Sequence, residues 1–248
     1  MICPACQAQV AGADDCCPAC GWKFNLELVE KTPMVKSVQR PKNQAEIDLG
    51  IAIDRTGSSL RFQQGILLTI RIVLDFLSAK ASKVVCYLQS HGDLDEGMDM
   101  ILHTDAGSPG QVVADLENII FDGGGLPPEH HLDAIENLVK TVPWISDPGR
   151  ARGAIIACMT ADAKPARSGI TARELGEEIK GLGILLYLLC EPTPTLVELV
   201  KAAQGMMFEI TNNPDQSELQ IVASQLAASI TETVKSGGTV PMKVSAQE

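Results

Sequence analysis

Basic side chains are scarce in this chain: 20 Lys and Arg stand against 31 Asp and Glu, a formal net charge of −11 at pH 7. That balance disfavours broad binding to nucleic acid or to an anionic membrane, both of which call for a positive surface. A long uninterrupted apolar run is also missing. The best candidate, "GILLTIRIVLDFL", carries Arg71 and Asp75 and falls short of the roughly 20 apolar residues that span a bilayer. The opening "MICPACQAQV" has neither the basic start nor the apolar stretch of a secretion signal. The expectation is a cytoplasmic protein with no membrane partner. Catalytic signatures are absent as well. There is no G-x-S-x-G nucleophile elbow and no Ser with a matched His and acid. The glycine run "FDGGG" lacks the Lys and Ser/Thr of a phosphate-binding loop and follows a helical pattern rather than a strand.

What is present is enough for one large domain with a small appendage: 248 residues, 45% of them hydrophobic. Five of the eight cysteines fall in the first twenty residues, as "CPAC" and "CCPAC". Two Cys-x-x-Cys hooks at this separation place four thiolates around one tetrahedral zinc, and Gly21 after the second hook suits the tight turn. The pattern resembles a zinc ribbon over residues 1–24, with Cys3, Cys6, Cys17 and Cys20 as ligands and Cys16 as a spare beside Cys17. Four sulfurs leave no open position for water, so the zinc is expected to be structural, supplying stability that so short a segment cannot obtain from apolar burial. Disulfides do not fit an intracellular chain, and a redox pair lacks its strand–helix frame. Residues 25–44 hold two prolines and mixed charge and read as a linker.

From residue 45 onward short apolar runs alternate with helical periods. The runs are "IDLGIAI", "KVVCYLQ", "MDMILH", "GAIIACM", "GILLYLLC" and "MMFEIT"; amphipathic stretches cover 58–80, 109–121, 129–142, 171–181, 194–204 and 215–235. Runs that are apolar almost throughout indicate strands covered on both faces. Ser108–Pro109 and Thr171 with Glu174 mark helix starts. "MDMILH" follows its predecessor closely enough to form a hairpin, which makes it an antiparallel edge. The rhythm predicts an α/β fold: a three-layer Rossmann-like sandwich on a mostly parallel sheet, over residues 45–236, with a tail at 237–248. Cys86, Cys158 and Cys190 read as small core residues.

Ligands of such sheets collect beyond the carboxyl ends of the strands. "IDLGIAIDRTGSS" places Asp54 there, with Thr56 and Ser58 alternating behind it. A carboxylate with two hydroxyls is a hard-oxygen set suited to magnesium or another divalent cation. The competing reading is a helix N-terminus whose side chains cap backbone amides. Asp162, a second carboxylate expected at the same edge, favours the metal.

These residues resemble the first part of the metal-ion-dependent adhesion site (MIDAS) of von Willebrand factor type A (VWA) domains, Asp-x-Ser/Thr-x-Ser. Asp162 in "AIIACMTADAKPA" is similar to that family's later aspartate, and the resemblance extends over about 200 residues in element order. It implies a non-enzymatic adaptor in which Asp54, Thr56 and Ser58 ligate magnesium, Asp162 holds a bound water, and a partner protein's acidic side chain completes the coordination. Leu126 stands where the family has threonine or aspartate, with Glu129 three residues on. Arg55, His91 and Glu129 are expected to meet the partner. His130 and His131 diverge by about 100° at a helix start and read as solvent-facing. A zinc-ribbon nucleic-acid protein and a metal-dependent hydrolase are the alternatives. The first has only the weak basic character of residues 1–42, which carry five basic and four acidic side chains. The second lacks a general base at a telling spacing.

Overall fold

The computed structural model describes residues 46–124, 127–144 and 151–209, together with residues 221–223, 225–226 and 228–230 of the helical stretch Ile221–Ile230. The four zinc-ribbon cysteines, Cys16, the linker, Leu126 and the C-terminal tail lie outside the described residues.

Six strands form one sheet in the order β3-β2-β1-β4-β5-β6: β1 Glu46–Asp54, β2 Lys83–His91, β3 Ile101–Gly107, β4 Ala151–Cys158, β5 Leu185–Leu189 and β6 Met206–Phe208. All pairings are parallel except β2 with β3, the antiparallel edge that the close spacing of those two runs required. The helices are α1 Gln63–Lys80, entered through a 3₁₀ turn Gly57–Phe62, α2 Pro109–Leu116, α3 His131–Thr141, α4 Ala172–Gly181 and α5 Pro194–Ala203. Ser108 Oγ accepts from Gln111 N at the start of α2. Thr171 and Glu174 close a reciprocal capping box at α4.

Strand parity decides which side chains enter which layer. Ile47, Leu49, Ile51 and Ile53 of β1 point to one face, where they meet Ile66, Ile70, Val73, Leu74 and Leu77 of α1 along with Val112, Leu116, Val222 and Leu226. The opposite parity carries Ala52, Tyr87, Ile155, Ala157, Leu186 and Leu188 onto Leu132, Ile135 and Leu138 of α3 and onto α4 and α5. Gly153 is required for this second layer, because a Cβ there would lie 2.7 Å from the Trp144 ring. The stretch Gly57–Lys80, mean hydropathy 1.3, is long and apolar enough to cross a membrane by length and composition. In this fold its apolar stripe faces the sheet instead. The three cysteines of the described region are free and buried, and burial pushes the thiols of Cys86 and Cys190 up to about 12.

Chain direction reverses at β1. The chain runs outward through β2 to β3 on one side and through β4 to β6 on the other, which opens a crevice at the carboxyl end of β1.

Candidate metal site at the carboxyl edge of the sheet

Asp54 is the last residue of β1 and fully buried. Its Oδ1 accepts from Thr56 N at 2.9 Å and from Thr56 Oγ1 at 2.7 Å; its Oδ2 accepts from Thr160 Oγ1 at 2.8 Å. The hydroxyls continue the ring: Thr56 Oγ1 lies 2.9 Å from Ser58 Oγ, and Thr160 Oγ1 lies 2.9 Å from Ser59 Oγ and 3.3 Å from Ser58 Oγ. Six oxygens at about 2.0–2.1 Å around magnesium are spaced about 2.9 Å from their neighbours. The hydrogen-bonded contacts of this ring, 2.7–2.9 Å, lie near that figure, while Ser58–Thr160 at 3.3 Å and Thr56–Ser59 at 3.4 Å are wider. Ser58 is exposed and Thr160 partly so, which gives the ring one face toward solvent.

Two loops fix the arrangement. Arg55 N donates to the carbonyl of His91, while Asp122 N donates to the carbonyl of Arg55 and Gly57 N to that of Gly123. The glycine run therefore lies directly over the Asp54 loop. Gly124, at φ +84°, tolerates no side chain there, since a Cβ would sit 2.7 Å from Thr56 Cβ.

Beneath the ring is a buried imidazole pair. Asp54 and His91 are register partners on adjacent parallel strands, so both side chains leave the same face of the sheet, toward α3. There His91 Nε2 lies 2.9 Å from His131 Nδ1. Burial and the neighbouring His131 push His91 down to about 3, and burial likewise lowers His131, so both rings are neutral near pH 7. Burial opposes charge on Asp54, yet the hydrogen bonds from Thr56 N and Thr56 Oγ1 help to hold its carboxyl below the usual range. His130 and His131 are buried at 3% and 0% exposure, against the expectation that they face solvent. The first turn of α3 tucks under the loops of the sheet edge, a placement its adjacent-residue geometry alone does not reveal.

The remaining expected residues distribute as follows. Arg55 is half-buried and donates from Nη2 to the Asp99 carbonyl at 3.1 Å. His91 and Glu129, expected to meet a partner, are 0% and 1% exposed. Asp162 lies at the same sheet edge, where its carbonyl accepts from Glu129 N. Its Oδ1, however, accepts from Ala163 N at 2.9 Å and from Thr193 Oγ1 at 2.6 Å, at the start of α5. Thr160, two residues earlier, is the side chain of this loop that bonds Asp54. Sequence reasoning missed Thr160 and Ser59; the signal for them was position, two residues past a strong strand and one residue past Ser58.

Asp93, Asp95 and His130 form a second group whose ligand atoms lie within 4.8 Å of one another. Lys164 already supplies a cation there: its Nζ is 2.8 and 3.0 Å from the two Asp93 oxygens and 2.8 Å from Asp95 Oδ2. Ser58 and Ser59 bond to threonine hydroxyls while the two buried imidazoles bond each other, so neither serine of the ring pairs with a histidine; Ser90 Oγ lies 2.7 Å from His103 Nε2, between β2 and β3.

No protein-family model matches the chain, and no curated protein matches it. Solved structures do. The SpRpn10 VWA domain superposes with TM-score 0.54 at 12% identity, covering 79% of this chain and 98% of that domain. Proximal thread matrix protein 1 (PTMP1) from the mussel byssus, with a zinc-occupied MIDAS motif, gives 0.55 at 11% identity over 74% of this chain and 46% of its own; a second crystal form gives 0.53 at 10%. At these identities the likeness establishes the fold: this chain has the VWA-type, Rossmann-like α/β architecture.

Proposed function

We propose that this chain is a non-enzymatic interaction module that grips a protein partner through a divalent cation at the carboxyl edge of its sheet, within an intracellular multiprotein assembly. The observation that carries the reading is the ring of one carboxylate and four hydroxyls, Asp54, Thr56, Ser58, Ser59 and Thr160, a hard-oxygen set gathered at a topological switch point. Asp54, Thr56 and Ser58 would hold magnesium, directly or through water, with Thr160 closing the ring and Asp162 acting through a bound water. Bound magnesium would neutralise the negative charge of the site and leave a coordination position toward solvent. A partner's acidic side chain fits that position. The zinc-occupied motif of PTMP1 supports a divalent ion at this edge of the fold. A second, structural zinc on Cys3, Cys6, Cys17 and Cys20 belongs to the same proposal, as does cytoplasmic localisation.

The test is co-purification of the tagged full chain from its host in magnesium-containing and magnesium-free buffer, beside Asp54→Asn and Ser58→Ala. A stoichiometric partner should be retained only by the wild type in magnesium. A complex indifferent to magnesium and to both substitutions would end the proposal.

A further inference from the structure

Lys164 ends in a place shaped for a cation. Its Nζ reaches both oxygens of Asp93, at 2.8 and 3.0 Å, and Asp95 Oδ2 at 2.8 Å. The Lys164 side chain is 19% exposed and that of Asp93 only 3%, so the Lys164–Asp93 pair is largely withdrawn from water, unlike an ordinary surface ion pair. His130, buried, completes the lining with Nδ1 2.9 Å from Asp93 Oδ1. Two carboxylates and an imidazole, with ligand atoms all within 4.8 Å of one another, are also the makings of a divalent-metal site. Here the ammonium sits among them. The tie runs on through the backbone. Lys164 lies in the loop after β4, and Asp93 and Asp95 in the loop after β2. Lys164 N donates to the Glu129 carbonyl at 2.7 Å and Glu129 N to the Asp162 carbonyl at 2.9 Å, two residues beyond Thr160, whose Oγ1 bonds Asp54 Oδ2 at 2.8 Å. Arg167 of the same loop adds a contact to Asp95 Oδ1 at 3.2 Å, but both of those side chains are more than half exposed and the pair is the weaker one.

We infer that the Lys164 ammonium is a tethered cation standing in for a second metal ion: it fills the position among Asp93, Asp95 and His130, and fastens there the loop that presents Thr160 to the Asp54 ring. The fastening of the ring rests on the metal reading of Asp54 and its hydroxyls; the filled position does not. A charge carried by the chain is present at every metal concentration. The loop is therefore held whether or not divalent ion is abundant, and the edge of the sheet takes up one ion instead of two. Removing the ammonium strands Asp93, a buried carboxylate, without its counter-charge, which is costly unless another cation takes the place. Lys164 is in this sense a positioning residue, acting on the ring through the loop it anchors.

Manganese(II) titration of the full chain, with the free ion counted by paramagnetic resonance, tests this, because manganese prefers carboxylate oxygen to the cysteine sulfurs. Wild type and Lys164→Arg should each bind one ion, at the ring. Lys164→Ala should bind two. Adding Asp93→Asn to it should remove the second ion and weaken the first about tenfold, since nothing then fastens the Thr160 loop. One ion at wild-type affinity in Lys164→Ala would overturn the inference, as would a second ion that survives Asp93→Asn, or two ions in the wild type. Wild-type ring affinity in the double variant would overturn the fastening. No ion in the wild type, with one gained in Lys164→Ala and lost again with Asp93→Asn, would uphold the stand-in and end the ring reading alone. If Lys164→Ala unfolds, refolding on manganese addition that Asp93→Asn abolishes supports the same position, and no refolding overturns it.

Discussion

Replacing His91 by Gln should make the fold less sensitive to acid. In the folded protein His91 is buried, and it is pushed down to about 3 by burial and by the charge His131 would carry. An unfolded histidine titrates near 6.5. Between these values the unfolded chain binds a proton that the folded chain refuses, so stability is full above about 6.5 and falls as pH drops. At pH 5, about 1.5 units below the unfolded value, the loss from this one group is about 2 kcal/mol. Glu129 has the opposite sign: its folded value of about 7 lies above the ordinary 4.5, so its contribution is present at low pH and fades as pH rises through 7. Glu129 remains in both proteins and cancels in the difference. His131 also remains in both proteins. Urea unfolding of wild type and His91→Gln at pH 5, 6, 7 and 8, in magnesium-free buffer, measures the contrast. The variant should lose about 2 kcal/mol less than wild type between pH 8 and pH 5. Parallel curves, within about 0.5 kcal/mol, would refute a neutral buried imidazole at this position.

Leu74→Ala, at 1% exposure on the sheet-facing stripe of α1, should cost about 2–5 kcal/mol in the same denaturation assay, through lost transfer energy and an unfilled cavity. Thr171→Ala removes the reciprocal cap of α4 and should cost about 1 kcal/mol. Gly124→Ala should lower magnesium affinity measured by calorimetry, because the new Cβ would displace Thr56 from the ring. Thr160→Val keeps the shape but deletes the hydroxyl that bonds Asp54, and should weaken magnesium in the same titration.

The sheet was readable from the sequence because burial on both faces leaves a strong local mark. Every one of the six apolar runs became a strand, β1 took the centre, and the "MDMILH" run led into the antiparallel edge β3. The helix starts at Ser108 and Thr171 were equally local, since a cap and the amides it satisfies lie within three residues of each other. Asp54, Thr56 and Ser58 were legible for the same reason: an alternating set at the end of a central strand has few places to go.

The tertiary structure alone decided which distant side chains would join them. Strand periodicity locates the end of β4 but not the path of the loop after it. In that loop Thr160 turns to Asp54 while Asp162, two residues on, turns to Thr193. Nor does the "EHH" triplet disclose its burial. Glu129, His130 and His131 lose their water to partners distant in sequence: His91 of β2, Asp93 and Leu94 of the loop after β2, and Asp162 and Lys164 of the loop after β4. Apolar periodicity is written into consecutive residues, so a sequence determines layers and strand order. The pairing of polar groups at the sheet's edge depends on loops that meet only after the layers have packed, and only the folded chain determines that.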